Sequence, residues 1–199
     1  MLDLLKPYLL SFIPLFVAVD AIGNIPVFVS LVEGTSKKQK HKAIIESVTT
    51  ATAVAVLFMI VGKWVFKVIG ITISDFQIAG GALLFVIAVR LLLPGGQKGL
   101  MSNGHEKDVG VFPLGTPLIT GPAVLTTTLI MLDSYGPFPT FISLVVNMLI
   151  TWLALAKADS IMKVMGSGGT RAFAKIMYIL LAAIGVMMVR RGIQGAFFI

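Results

Sequence analysis

The chain contains no cysteine and few charged residues. None of its 199 residues is cysteine, and only 13% are charged. The absence of thiols excludes disulfides, cysteine nucleophiles and metal ions or clusters held by cysteine. The charged share is about half of the ~25% that is usual in globular domains. With 57% apolar residues and a mean hydropathy of +0.97, the composition predicts an integral membrane protein.

Six long apolar runs divide the sequence, and a span needs ~20 residues to cross a hydrocarbon core of ~30 Å. The runs cover residues 8–32, 43–61, 76–93, 111–132, 138–156 and 172–189. We expect the glycine-rich residues 166–169 to form a flexible turn before the last run. The sequence predicts an all-α membrane protein with six transmembrane helices, the first of them retained and not cleaved as a signal peptide.

The basic residues indicate how these helices are oriented. The net charge is +7, and eleven of the 16 basic residues border the first, third and fifth connectors. The eleven are Lys37, Lys38, Lys40, Lys42, Arg90, Lys98, Lys107, Lys157, Lys163, Arg171 and Lys175. The positive-inside rule predicts a multi-pass protein of the cell membrane with these connectors in the cytoplasm and both termini outside. No basic face with interleaved aromatic residues is present, so the expected partner is the lipid bilayer and not nucleic acid.

The two halves of the sequence resemble each other. Ile13-Pro14-Leu15 followed by residues 22–27 is similar to Phe112-Pro113-Leu114 followed by residues 120–124. We therefore expect two three-helix repeats, at residues 1–93 and 111–199, joined by a glycine-rich cytoplasmic connector at 94–110. Because three spans is an odd number, the repeats would be inverted. Inverted repeats with a discontinuous first helix are typical of secondary transporters that bind their substrate at the midplane.

The first span is interrupted by polar and helix-breaking residues. Asp20, Gly23, Asn24 and Pro26 follow one another within seven residues. Such an interruption at membrane depth is tolerated where it faces protein or a water-filled cavity, and an ionisable residue there is by default a candidate functional group. Asn24 is expected to cap a new half-helix that has Pro26 in its first turn. Asp20 would bind an ammonium group or carry a proton, or would only orient the broken helix.

The fourth span carries a similar interruption at Thr120, Gly121 and Pro122. The start of a half-helix offers free N–H groups and a partial positive charge, which suit a carboxylate, while carbonyls freed by the break accept from a cation. Thr126 and Thr127 would add hydroxyl groups to the site, or would bond to the backbone of their own helix. Together the two breaks predict a binding site for a small zwitterion.

Three further residues are functional candidates. Glu46, near the predicted cytoplasmic mouth, is a second candidate for proton coupling, or a solvated charge. Gly80 and Gly81 are hinge candidates, or points of close helix packing. His41 and His105 lie in separate connectors, so we expect neither a metal site nor a cofactor.

The segments at residues 20–28 and 117–123, together with Thr126-Thr127, resemble the MarC family of six-span membrane proteins. The resemblance covers essentially the whole chain, and it implies transport of small neutral amino acids of the glycine and alanine type, with a proton as the expected coupling ion. The family usually carries proline after the acidic residue. This chain has Ala21 there, which leaves Gly23 and Pro26 to break the helix.

Other functions remain open at this point. An exporter or a channel for another small solute would also tolerate broken helices. An intramembrane enzyme has less support, because the spans contain no histidine to serve as a general base and no second acid to pair with Asp20. We therefore expect no catalytic residues. The sequence leaves the oligomeric state open, a homo-oligomer included.

Overall fold

The computed structural model describes residues 2–93 and 110–197, and it is built from helices throughout this part of the chain. The helices are α1 (Leu2–Val19), α2 (Asn24–Leu31), α3 (Lys37–Ile69), α4 (Ile73–Leu92), the irregular α5 (Gly110–Ile119), α6 (Pro122–Tyr135), α7 (Pro137–Ala156) and α8 (Ala158–Phe197). Apart from Gly110, the connector predicted at 94–110 lies outside the described residues.

Five stretches of the described chain are long and apolar enough to cross a membrane. They are Leu5–Leu31, Lys37–Ile69, Ile73–Leu92, Pro137–Ala156 and Ala172–Phe197. The pair α5 and α6, bent by 52° at their junction, gives a sixth span if it is counted as one. The prediction of an all-α membrane protein is confirmed, with five to six candidate spans.

Helix α3, which contains the second predicted span, is much longer than that apolar run. We expected a span at residues 43–61, but α3 contains 33 residues. At ~1.5 Å per residue it is about 50 Å long, so it extends beyond a hydrocarbon core of ~30 Å. Ser36 and Gln39 form a capping box at its start, and Gly70 ends it with a positive φ of 79°. These caps provide hydrogen-bond partners for backbone groups at the two helix ends. The apolar pattern marks the part of the helix within the membrane and not these ends.

The predicted turn at residues 166–169 is wrong. The backbone is helical there, and α8 runs without interruption from Ala158 to Phe197. The helices are interrupted earlier, at Lys157, directly after α7. A glycine in a helix costs only about 1 kcal/mol relative to alanine. Glycine content alone therefore did not decide where this helix ends.

The helices pack mainly between the two halves of the chain. The largest contact is between α4 and α8, while α3 packs on α5, α6 and α7, and α1 packs on α7 and α6. If the two halves are equivalent, α1 corresponds to α5, α3 to α7 and α4 to α8. The contact of α3 with α5 then corresponds to that of α7 with α1, which is the pattern that a repeat predicts. The inverted orientation of the halves stays a prediction.

Ion pairs connect helix ends that the topology predicts to lie on the same side. Lys40 at the start of α3 pairs with Asp159 at the start of α8, at 2.9 Å between Nζ and Oδ1. Lys63 near the end of α3 pairs with Asp133 near the end of α6. Both pairs are partly exposed, so each contributes little to stability and mainly shows which ends are neighbours.

Candidate functional site

The two predicted helix breaks line the same small cavity. Asp20, Gly23 and Asn24 come from the first break, and Pro117 and Gly121 from the second. The cavity has a volume of about 50 Å³. At ~10–15 Å³ for each water, it has room for roughly four water molecules. This is far below the ~300–1,000 Å³ of pockets that hold drug-sized ligands.

The first break is a four-residue turn near the middle of the span Leu5–Leu31. Asp20 has a positive φ of 46°, a conformation that aspartate tolerates better than most residues. Its Oδ1 accepts a hydrogen bond of 3.1 Å from the Gly23 backbone N–H. A Cβ at position 23 would collide with the Asp20 carboxylate, so a larger residue there would displace that carboxylate. The half-buried carboxylate is thus held at the cavity wall.

Asn24 does not have the capping role that we predicted. It is the first residue of α2, and the N-cap position belongs to Gly23. The Asn24 side chain instead donates to the Val19 carbonyl at 2.9 Å and to the Asp20 carbonyl at 3.2 Å. It therefore satisfies carbonyls freed at the end of α1, which we had expected to be available to a cation. Pro26 lies in the first turn of α2, as predicted.

Two extended residues lie in α5, shortly before the second break. Phe112 and Thr116 have extended backbone angles inside α5, and each precedes a proline, which disfavours the helical conformation. Gly121 is the N-cap of α6 and makes no side-chain capping bond, and Pro122 begins the helix. The predicted start of a half-helix at this place is confirmed.

The first turn of α6 contributes to the cavity lining. The first turn of a helix has N–H groups without an intrahelical acceptor. Ala123 and Val124 lie in that turn of α6, and both line the cavity beside Gly121. The partial positive charge of a helix N-terminus adds to these donors. The second break therefore suits a carboxylate, whereas the first break supplies a carboxylate of its own.

The predicted hydroxyl ligands are placed elsewhere. The Thr120 hydroxyl donates to the Ala51 carbonyl of α3 at 3.0 Å and so ties the second break to that helix. Thr126 bonds back to the Pro122 carbonyl at 2.8 Å, which was the alternative interpretation. Thr127 is half-buried. The cavity lining contains none of these threonines, nor Pro26 or Pro122, and a binding role for these residues stays a prediction.

Sequence reasoning missed the apolar part of the cavity wall. Helix α4 contributes Leu84, and α8 contributes Met177, Leu180, Leu181 and Ile184. These residues occur in uninterrupted apolar runs, so no local signal distinguishes them from residues that face lipid. Only the packing of α4 and α8 against the two breaks brings them to the cavity.

Glu46 lies in a different recess. Its Oε1 is 3.2 Å from Lys42 Nζ, and its buried Oε2 has no hydrogen-bond partner in the described part of the chain. It lines an open recess of about 640 Å³ together with Lys38 and His41. Glu46 and Asp20 therefore do not share a cavity. Residues 2–93 and 110–197 hold no group of three or more side chains suited to a metal ion.

Gly80 and Gly81 lie inside the unbroken helix α4, where neighbours approach closely. A Cβ at Gly80 would collide with the Pro122 ring at the start of α6. A Cβ at Gly81 would lie 2.6 Å from the Gly185 carbonyl oxygen of α8. Both glycines thus permit close packing, the alternative to the hinge that we considered. A hinge movement at this point stays a prediction.

Comparison with known proteins agrees with the motif resemblance. Residues 5–197 match the family described as MarC family integral membrane protein. A UPF0056 membrane protein of Methanocaldococcus jannaschii is 32% identical over 98% of this chain and 90% of its own length. Relatives of the same description from Pyrococcus abyssi and Buchnera aphidicola are 29% and 26% identical, covering 99% and 92% of this chain and 99% and 94% of their own lengths. No solved structure gives a significant match. The chain belongs to the MarC family of integral membrane proteins.

Proposed function

We propose that this protein is a secondary transporter of small neutral amino acids, of the glycine and alanine type. One observation carries the proposal: two breaks from opposite halves of the chain line one small cavity that contains a carboxylate. Secondary transporters characteristically bind substrate at discontinuous helices near the midplane. The role is that of a carrier and not of an enzyme.

The polarity of the two breaks suits a zwitterion. The Asp20 carboxylate is the negative group for the substrate ammonium. The N–H groups at Gly121, Ala123 and Val124 face the substrate carboxylate, with the positive end of the α6 dipole behind them. A solute with one charge would leave one side of the cavity without a partner, and an unpaired buried polar group costs about 1–3 kcal/mol.

The cavity volume supports a small substrate. Room for roughly four waters is comparable with the few heavy atoms of glycine or alanine. A large or aromatic side chain would need a different shape of the apolar wall at Leu84 and Ile184. The proposed substrate class therefore follows from the charges at Asp20 and at the start of α6, and from the small volume beside the apolar wall.

Asp20 is also the proposed site of proton coupling. It is the acidic residue of the cavity lining, and acidic residues at membrane depth commonly serve as proton relays in transporters. Proton uptake at Asp20 would weaken its attraction for the substrate ammonium. Competition between the proton and the substrate ammonium group for Asp20 would then link substrate movement to the pH gradient.

The proposed location is the cell membrane, with the lysine-rich start of α3 in the cytoplasm and both termini outside. The Lys40–Asp159 and Lys63–Asp133 pairs support the grouping of helix ends on which this assignment depends. A tag at either terminus that is accessible to an impermeant reagent in intact cells would agree with this orientation. Accessibility only after lysis would contradict it.

Purified protein in liposomes tests the function. We expect saturable uptake of glycine and alanine that accumulates under an imposed pH gradient. Non-saturable flux would identify a channel, and absence of flux for every amino acid would contradict transport of this class. Exchange of labelled internal alanine against external solutes tests an exporter of some other small molecule.

A binding screen with all twenty amino acids on protein in detergent tests the substrate class without assuming a mechanism. We expect thermal stabilisation by glycine and alanine and none by charged amino acids, since binding to the folded state alone raises apparent stability. Methylamine and acetate, which carry one charge each, are the matched controls for the zwitterion. Equal stabilisation by either of them would contradict the two-sided site.

A further inference from the structure

Leu84 lies directly against the second helix break. It is buried, and α4 contributes it to the cavity lining. One of its terminal methyl carbons, Cδ1, is 4.0 Å from the position that a Cβ on Gly121 would occupy. A side chain at position 121 would therefore be in ordinary van der Waals contact with Leu84. The Leu84 side chain thus covers the cavity wall beside the donors at the start of α6.

The backbone that carries Leu84 has no room to retreat. One turn earlier, Gly80 packs against the Pro122 ring. Next to it, a Cβ on Gly81 would lie 2.6 Å from the Gly185 carbonyl oxygen, and a Cβ on Gly185 would lie 2.7 Å from the Gly81 carbonyl oxygen. Helix α4 is therefore fixed between α6 and α8 at glycine contacts. Because interiors are close-packed, the Leu84 side chain cannot move away from the cavity that it lines.

The polar ends of the cavity leave the apolar wall for the substrate side chain. Asp20 and the first turn of α6 are assigned to the ammonium and the carboxylate. We propose that Leu84 is the specificity-determining residue that limits the substrate side chain to about the size of a methyl group. This inference rests on the proposed function, since it assigns a residue role within that same site.

The test is a change of Leu84 to alanine. The substitution removes the branched end of the side chain, the same group by which leucine exceeds alanine as a substrate. One methylene in an apolar pocket changes discrimination by about 10-fold or more. We expect the affinity for valine and leucine, relative to alanine, to rise by at least about 10-fold in L84A. The measurement is ligand-dependent thermal stabilisation in detergent, confirmed by competition with labelled alanine.

Leu91→Ala is the matched control. Leu91 is on the same helix and is 3% exposed, compared with 4% for Leu84, but it is not part of the cavity lining. We expect L91A to lower stability and to keep the wild-type order of substrates. An equal change of order in L91A would overturn the proposal, because it would show general loosening of the fold. If L84A does not fold, L84V replaces it, with a smaller shift toward 2-aminobutyrate as the expected result.

The outcomes separate this inference from the proposed function. Wild-type protein that binds neither glycine nor alanine contradicts the proposed function itself. Wild-type protein that binds alanine, with folded L84A and L84V that keep the wild-type order, overturns the role of Leu84 alone. Gain of the larger substrates in the Leu84 variants only supports both.

Discussion

The first and second helix breaks line the same cavity, but they are closed in different ways. At the first break, Asp20 and Asn24 bond to the neighbouring backbone, and α1 and α2 together form one span. At the second break Gly121 is extended directly before Pro122, and α5 and α6 meet at 52°. At the first break, side chains of the break itself bond to the adjacent backbone. At the second break, the Thr120 hydroxyl bonds instead to a backbone carbonyl of the neighbouring helix α3.

This difference assigns different chemistry to the two breaks. Asn24 satisfies carbonyls at the end of α1, which leaves the Asp20 carboxylate as the polar group that the first break offers to a ligand. The second break has no side-chain cap, so no side chain bonds to the N–H groups of the first turn of α6, where the proposed carboxylate site lies. The two breaks thus differ in what lines the cavity: a carboxylate at the first break and the start of a helix at the second. The predictions below test this comparison.

Asp20→Asn should have the largest effect. Asparagine keeps an oxygen that accepts from the Gly23 N–H, so the turn should persist while the charge is lost. We expect gradient-driven accumulation of alanine in liposomes to be abolished. Asp133→Asn, at an exposed acid near the end of α6, is the control and should accumulate normally. Accumulation at the wild-type level by the Asp20 variant would show that transport does not depend on the negative charge at the first break.

Gly121→Leu should block the donor side. A side chain at this position would collide with the Pro117 carbonyl and meet Leu84. We expect the junction of α5 and α6 to shift, and the affinity for alanine to fall by more than about 10-fold, equivalent to about 1.4 kcal/mol. Gly168→Leu is the matched control, because a Cβ there has open space around it. Titration of labelled alanine measures both, and unaltered affinity in the Gly121 variant would make the second break purely architectural.

Asn24→Ala and Thr120→Val should lower stability by unequal amounts. The first change removes two hydrogen bonds, one of them the buried bond to the Val19 carbonyl, which should cost about 2–3 kcal/mol. The second removes one hydrogen bond to Ala51 and should cost about 1 kcal/mol. Thermal melts in detergent compare the two. Equal losses would show that both breaks depend on side-chain bonds to the same extent.

Lys40→Met should have the smallest effect. It removes the pair with Asp159, which is far from both breaks and partly exposed. We expect a loss of less than about 1 kcal/mol, because exposed ion pairs contribute little. Melts at low and high salt should differ less for the variant than for the wild type. A loss of transport without a loss of stability would show that this helix end influences the cavity.

The sequence by itself determined the membrane setting, the positions of most helices and both helix breaks. Hydropathy is a local property, and proline and glycine act on the backbone of their immediate neighbours, so these features are visible without a structure. The same reasoning identified Asp20, Gly23, Asn24 and Gly121, which share one cavity. It misplaced the start of the last helix, because α8 already begins at Ala158 and residues 166–169 are helical although their composition favours a turn.

Only the tertiary structure decided what surrounds these residues. Leu84 and Ile184 reach the cavity because α4 and α8 pack closely there, and nothing in their own runs distinguishes them from lipid-facing residues. Thr120 and Asn24 are both polar residues at breaks, yet one bonds to α3 and the other to the end of α1. Hydrogen bonds and packing join residues that are distant in sequence, so the choice among partners depends on the assembled helices.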